Sequence, residues 1–146
     1  MDTDRTKRTP NRALLRELAA VLGAEPWVDS VSVFPSNNPD SLVVVLLDEH
    51  YPADEVSEAY IELQSYTNGD FHISYIESRH GDPWMCRWDR HDSDDYSRDH
   101  FHEPPAAAHG DGVNWEYPTD LMRVLSDIVA PWVYERMGDI WDEYND

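Results

Sequence analysis

The dipeptide Asn68-Gly69 sits between two runs that alternate apolar and polar residues, and it constrains the fold more than any other feature of the chain. Both residues tolerate positive φ, which a two-residue type I′ hairpin turn requires at both of its positions. Before the turn, Ala59, Ile61 and Leu63 share one face, with Tyr60, Glu62, Gln64 and Tyr66 on the other. After it, Phe71, Ile73 and Tyr75 share one face, with His72, Ser74 and Ile76 on the other. The pattern predicts a hairpin with one apolar face, which must be buried against a second layer.

Further elements flank this hairpin. Trp27 to Phe34 alternates, with Val31 and Val33 opposite Ser30 and Ser32. Leu42 to Leu47 is an unbroken aliphatic run, which predicts a central strand covered on both faces. Pro35-Ser36-Asn37-Asn38-Pro39-Asp40 turns the chain between them, and Gly81-Asp82-Pro83 turns it into a fifth strand, Trp84 to Asp89. Thr9-Pro10 reads as an N-cap followed by Pro at the first helical position. Leu14, Leu15, Leu18, Val21 and Leu22 then recur at helical spacing up to Gly23, a natural C′ residue, so a helix is predicted over about 10–22. Pro118 to Tyr144 is again helical by pattern. Pro131 lacks the N–H that would bond back to Asp127, which predicts a kink or two abutting helices there. Arg90 to Gly112 reads as a polar, His- and Asp-rich loop, too long to be a casual connector. The fold class is therefore α+β: an N-terminal helix, an antiparallel or mixed sheet of about five strands, and a long C-terminal helix kinked near Pro131. Residues 1–8 are expected to form a frayed tail and residues 9–146 a single domain.

Charge narrows the function classes. The 146 residues carry 30 Asp and Glu against 11 Lys and Arg, a net charge of -19, and Lys7 is the one lysine. Such a surface repels nucleic acid at ordinary ionic strength. Short carboxylates with almost no Lys are, however, the composition expected of a halophilic protein. At about 1 M salt the Debye length is ~3 Å, self-repulsion nearly vanishes, and local contacts decide whether an anion binds. No apolar run reaches membrane length, and the polar start, Met1 to Arg8, has no apolar signal core behind it. A soluble, cytoplasmic protein is expected. Lone Cys86 excludes an internal disulfide framework and a multi-cysteine zinc site.

Strand periodicity organises the candidate chemistry. Trp84, Cys86 and Trp88 share the face that meets the core, so Arg87 and Asp89 project from the other, and His91 joins them if the strand continues. His100 and His102 also point one way in any extended backbone. Two strand ends can thus bring together one Arg, one Asp and two or three His. Three readings fit. In the first, imidazoles serve as base and acid for RNA cleavage while Arg87 forks to phosphate and Asp89 orients a ring. In the second, His-x-His with His91 or an Asp forms a three-ligand metal site. In the third, the segment is a solvated loop and Arg87–Asp89 a plain ion pair. His72 with Ser74 lies on the polar face of a neighbouring strand, where an ordinary half-exposed His is the simpler assignment. Cys86 reads as packing, and His50, His80 and His109 as solvated. The aromatic residues of the last helix read as core or a dimer face.

The same residues resemble the TumE-type toxins of prokaryotic toxin–antitoxin modules. Those carry an aromatic strand, a turn, an Arg-aromatic-Asp strand end, a His-containing segment and a cluster ending in His-x-His. The counterparts are Phe71 to Ile76, Arg87-Trp88-Asp89 with His91, and His100-Phe101-His102, within residues 57–105. The resemblance implies a small ribonuclease toxin, here of haloarchaeal type, with RNA as substrate and a cognate antitoxin bearing a DNA-binding domain as partner. It carries phosphate binding onto Arg87, base and acid work onto His100 and His102, and supporting roles onto Asp89 and His91. Cleavage is expected to be metal-independent, with no cofactor. The chain departs from the family in having a single His after Asp89, an acidic insert, and Phe101 in a final cluster where the family tends to carry Lys. Its long C-terminal helix lies outside the motif and is expected to serve a homodimer or another partner. The alternatives are a non-catalytic interaction protein that binds a partner through this Trp-rich helix, and a His-ligated, metal-dependent hydrolase. Outside the two ends, four Arg fall between residues 79 and 98, the one stretch where so acidic a chain could receive an anion.

Overall fold

The Asn68-Gly69 hairpin joins β3 (Glu58–Ser65) to β4 (Phe71–Ser78), with Ser65 opposite Phe71 and Glu58 opposite Ser78. Its turn differs from the expected type. Gly69 has φ +91°, but Asn68 is not in the positive-φ region. The Gly69 N–H donates to the Tyr66 carbonyl, and the Asp70 N–H to the Asn68 side-chain oxygen at 3.0 Å. A longer loop with one left-handed glycine therefore replaces the type I′ turn, because the Asn68 side chain closes the loop locally.

The structure, a computed structural model, describes residues 8–37 and 39–146. Except for Arg8, the tail assigned to residues 1–8 lies outside the described residues, as does Asn38 of the Pro35 turn. After α1 (Arg12–Leu22) come β1 (Val28–Phe34), β2 (Ser41–Leu46), β3 and β4, then β5 (Trp84–Arg90), β6 (Asp99–His102) and β7 (Gly112–Asn114). The chain closes with α2 (Leu121–Val124), a π-helical turn (Leu125–Val129) and α3 (Ala130–Tyr144). The strands form one antiparallel sheet in chain order, β1 to β7.

This is the α+β class expected, with helices at both ends, but the sheet has seven strands, not about five. Of the two extra strands, β6 lies inside the segment read as a loop and β7 begins at its last residue, Gly112. Their alternation places His100 and His102, not aliphatic side chains, on the outer face, and β7 is only three residues long and begins with a glycine. A hydrophobic period cannot register either. The aliphatic run of β2 is fully covered on one face only: Leu42, Val44 and Leu46 are buried, whereas Val43 and Val45 are half-buried. Helix α1 starts at Arg12, not Pro10. The Asn11 side chain accepts from the Leu14 N–H at 3.2 Å, and the Asn11 N–H is held at 2.8 Å by the Ser65 carbonyl.

The core lies between the inner sheet face and the helices. Leu15, Leu18 and Leu22 of α1 and Val124, Val129, Val133 and Ile140 of the C-terminal helix are buried with Leu63, Ile73, Cys86 and Trp88. Trp132 stands edge-on to Tyr75 and Trp88 and stacks on Trp84. Before Pro131, the wider π-helical turn, in which the Ala130 N–H donates to the Leu125 carbonyl, relieves the ring of a close i−4 carbonyl.

A fully buried carboxylate also occupies this inner face. Glu77 is fully buried, and its carboxylate accepts from Arg136 Nε and Nη2 at 2.8 and 2.9 Å, from Arg79 Nε at 2.9 Å and from the Tyr75 hydroxyl at 2.6 Å. Burial alone would raise its pKa. The hydrogen bonds from Arg136 and Tyr75 outweigh that and hold it below its ordinary value. No helix of the described residues is long and apolar enough to cross a membrane.

Candidate functional site

The outer face of β4, β5 and β6 carries the site, and strand register assembles it. His72 lies opposite Asp89, which lies opposite His100; Ser74 lies opposite Arg87, which lies opposite His102. Adjacent positions on one face of a sheet have Cβ atoms ~5 Å apart, so these two cross-strand rows put five functional side chains together.

Asp89 is the centre. It is 0 % exposed. Its Oδ1 faces His72 Nδ1 at 2.9 Å, and Arg87 Nε donates to both oxygens at 3.0 and 2.8 Å. Its Oδ2 lies 3.2 Å from His102 Nε2, 3.6 Å from His100 Nε2 and 3.8 Å from His91 Nε2. Burial would raise the Asp89 carboxyl, but the His72 hydrogen bond and the Arg87 charge outweigh it and keep its pKa below the ordinary value. The five residues singled out in the sequence, Arg87, Asp89, His91, His100 and His102, are thus brought into one cluster.

Exposure divides that cluster. His100 and His102 are 1 % and 2 % exposed, whereas His72, His91 and Arg87 remain half-exposed. Burial pushes the His102 pKa down, beyond what its bond to the Ala108 carbonyl restores, and burial likewise lowers His91. Tyr96 covers the buried pair, stacked on His100 and edge-on to His102. Its hydroxyl donates to the His109 carbonyl and accepts from the Gly112 N–H.

Tyr96 fits only because residue 112 has no side chain: a Cβ there would stand under 3.0 Å from three atoms of the Tyr96 ring. Gly112→Ala is therefore expected to displace Tyr96, admit water to His100 and His102, and cost about 2 kcal/mol. Urea denaturation and faster exchange of the histidine ring protons would register it.

A cleft of about 310 Å³ opens beside Asp89, lined by Glu62, Gln64, His72, Ser74 and Arg87. Among the described residues, Arg79, Arg90 and Arg98 are all engaged: Arg79 with Glu77, Arg90 with Asp99 on the inner face, Arg98 with Asp70 and Asp92. Among the described residues Arg87 commits only Nε, to Asp89, which leaves its two terminal nitrogens for an anion. Arg8 reaches the rim, its Nη2 3.4 Å from His72 Nε2. His72 is the group that sequence reasoning undervalued. The signal was present in the hairpin, whose register sets His72 beside Gln64 and, one strand further, Asp89.

Residues 18–137 match the family described as Toxin TumE. No curated protein and no solved structure matches the chain. The matched span contains all seven strands and the whole cluster around Asp89. The chain belongs to the TumE toxin family.

Proposed function

We propose that this toxin is a ribonuclease that cleaves RNA by attack of the 2′-oxygen, using the Arg87, Asp89, His91, His100 and His102 cluster together with His72. The observation that carries the reading is the buried Asp89 holding His72 through Nδ1 and Arg87 through Nε, while both residues line one cleft. A carboxylate only accepts, so Nδ1 carries the ring proton and Nε2 of the neutral ring is the basic atom. His72 takes the 2′-hydroxyl proton, the 2′-oxygen bonds to phosphorus, and the bond from phosphorus to the 5′-oxygen breaks. Arg87 stabilises the charge on the non-bridging oxygens. His91, whose ring centre is 5.2 Å from that of His72, enters as the imidazolium and gives its Nε2 proton to the leaving 5′-oxygen, ending neutral as His72 ends protonated. His100 and His102 stand behind Asp89 and fix its position. Neither proton transfer passes through a metal.

The partner is a cognate antitoxin, and we place its DNA-binding domain outside this chain. The reading of α3 as a free binding helix has less support. Trp132 is packed on three aromatic rings of the sheet, and Trp141 Nε1 donates to the His50 carbonyl at 2.8 Å.

The test is RNA digestion in molar KCl, the medium in which a chain of net charge -19 can approach a polyanion. The products are expected to end in a 2′,3′-cyclic phosphate, and Arg87→Ala and His72→Ala to slow cleavage by about a hundredfold or more. Ends bearing a 5′-phosphate would indicate attack by water and favour the metal-dependent hydrolase. RNA left intact by the wild-type protein would overturn the assignment.

A further inference from the structure

Three hydrogen-bond acceptors meet behind Asp89, and among the described residues the one donor to them there is Arg87 Nε, 2.8 Å from Asp89 Oδ2. His100 Nδ1 lies 2.9 Å from the Ser97 carbonyl, and His102 Nδ1 lies 3.1 Å from the Ala108 carbonyl. A carbonyl oxygen only accepts, so in both rings the proton is on Nδ1 and the neutral ring turns the lone pair of Nε2 inward. Both inward lone pairs face Asp89 Oδ2, itself an anion, at 3.6 and 3.2 Å. All three residues are buried, so little water reaches the contact. Protonating both rings would set two imidazolium ions 5.1 Å apart beside the Arg87 guanidinium. A single cation held in common satisfies all three acceptors.

We propose that Asp89 Oδ2, His100 Nε2 and His102 Nε2 form a site for one divalent transition-metal ion of the zinc class. The spacing fits. Four ligands at ~2.0–2.1 Å in a tetrahedron stand ~3.4 Å apart, close to the 3.6 and 3.2 Å that separate the two nitrogens from Asp89 Oδ2. Imidazole nitrogens with one carboxylate oxygen suit zinc and its neighbours better than calcium or magnesium. Each ring is oriented by its Nδ1–H on a backbone carbonyl, the second hydrogen bond that metal-bound histidines commonly make. His91 Nε2, 3.8 Å from the same oxygen, stands on the open side, its own Nδ1 2.8 Å from the Asp92 carbonyl. The ion occupies the Oδ2 side of Asp89, whereas His72 is held on Oδ1. It therefore positions Asp89 and takes no part in the proton transfers, and the site stands whether or not RNA is the substrate.

The test uses the full chain, stripped with chelator and titrated calorimetrically with Zn²⁺ in molar KCl, with excess Mg²⁺ to occupy the surface carboxylates. One equivalent of tight binding is expected. His100→Gln and His102→Gln should weaken it about a hundredfold or more, and His80→Gln, at an exposed histidine outside the cluster, should leave it unchanged. Co²⁺ bound to the wild-type protein supplies a readout that needs no variant to fold. Intense visible absorption of four- or five-coordinate cobalt supports the site. The weak spectrum of the hydrated ion, or Zn²⁺ binding that both glutamine variants retain, overturns it. A metal-free protein that still yields cyclic-phosphate ends would leave the ribonuclease reading intact, so the two can fail separately.

Discussion

Asp89→Ala is expected to reduce RNA cleavage by at least about a hundredfold and to remove ~3 kcal/mol of stability. The stability loss follows from what the carboxylate holds. It is the common acceptor for His72 Nδ1 and Arg87 Nε, and no water reaches it to substitute for either. Arg87 is half-exposed and can turn to solvent, which keeps the cost below that of a fully buried pair. The rings of His100 and His102 cannot, and the space left beside them adds a packing loss. The activity loss has a separate cause. Without the acceptor at Nδ1, the His72 ring is free to carry its proton on Nε2, the atom that should be basic, and to rotate out of the cleft. Asp89→Asn separates the two effects. Its amide keeps the volume but presents a donor on one side where Arg87 also donates, so it should recover part of the stability and little of the activity. Urea denaturation in molar KCl and single-turnover cleavage measure the pair. An alanine variant that cleaves at the wild-type rate would sink the central role given to Asp89.

The second large effect lies on the other face of the sheet. Arg136→Ala is expected to cost ~4 kcal/mol, because it leaves the Glu77 carboxylate buried with only Arg79 and Tyr75 as donors and strips the guanidinium from the face of Trp84, 3.6 Å away. The double variant Glu77→Gln, Arg136→Met removes both charges and keeps the volume, and should recover most of the loss. The pair also sets an acid limit. The folded Glu77 pKa is below its ordinary value of 4.5. Its stabilisation is therefore complete above that value and lost as pH falls through the lower folded pKa. The wild type should unfold in acid over that window, and the double variant should lose less stability there. Equal acid sensitivity in the two proteins would remove Glu77 from the account.

Much of this was legible in the sequence for physical reasons. Period two alone separates Trp84, Cys86 and Trp88 from Arg87 and Asp89, and the core takes the first set. The same period sets His100 and His102 on one side whatever their partners. What stayed hidden depended on register and on long-range contact. β6 buries imidazoles against a carboxylate, so its buried face is polar and leaves no apolar alternation to detect. The weight of His72 came from Asp89, a residue 17 positions away that only the β4–β5 pairing brings opposite. Arg136 gave no sign of its role, because Glu77 is 59 residues away and sits where a strand pattern calls for an apolar side chain. The turn at Asn68-Gly69 shows a milder case. The dipeptide fixed the hairpin, while the Asn68 side chain chose the loop.

The sheet's strict chain-order pairing has a consequence for synthesis. Each strand finds its neighbour through a short, local closure, the arrangement that favours rapid pairing. The residues around Asp89 are complete once the ribosome has passed His102, with Gly112 and Asn114 adding the last strand. The helix that carries Arg136 emerges only afterwards. On the growing chain, the outer-face cluster can thus be assembled before the inner face is sealed. The nascent toxin would complete its outer-face cluster before its core is closed, and the interval before α3 docks is when an aromatic-rich, half-covered sheet is most open to other proteins.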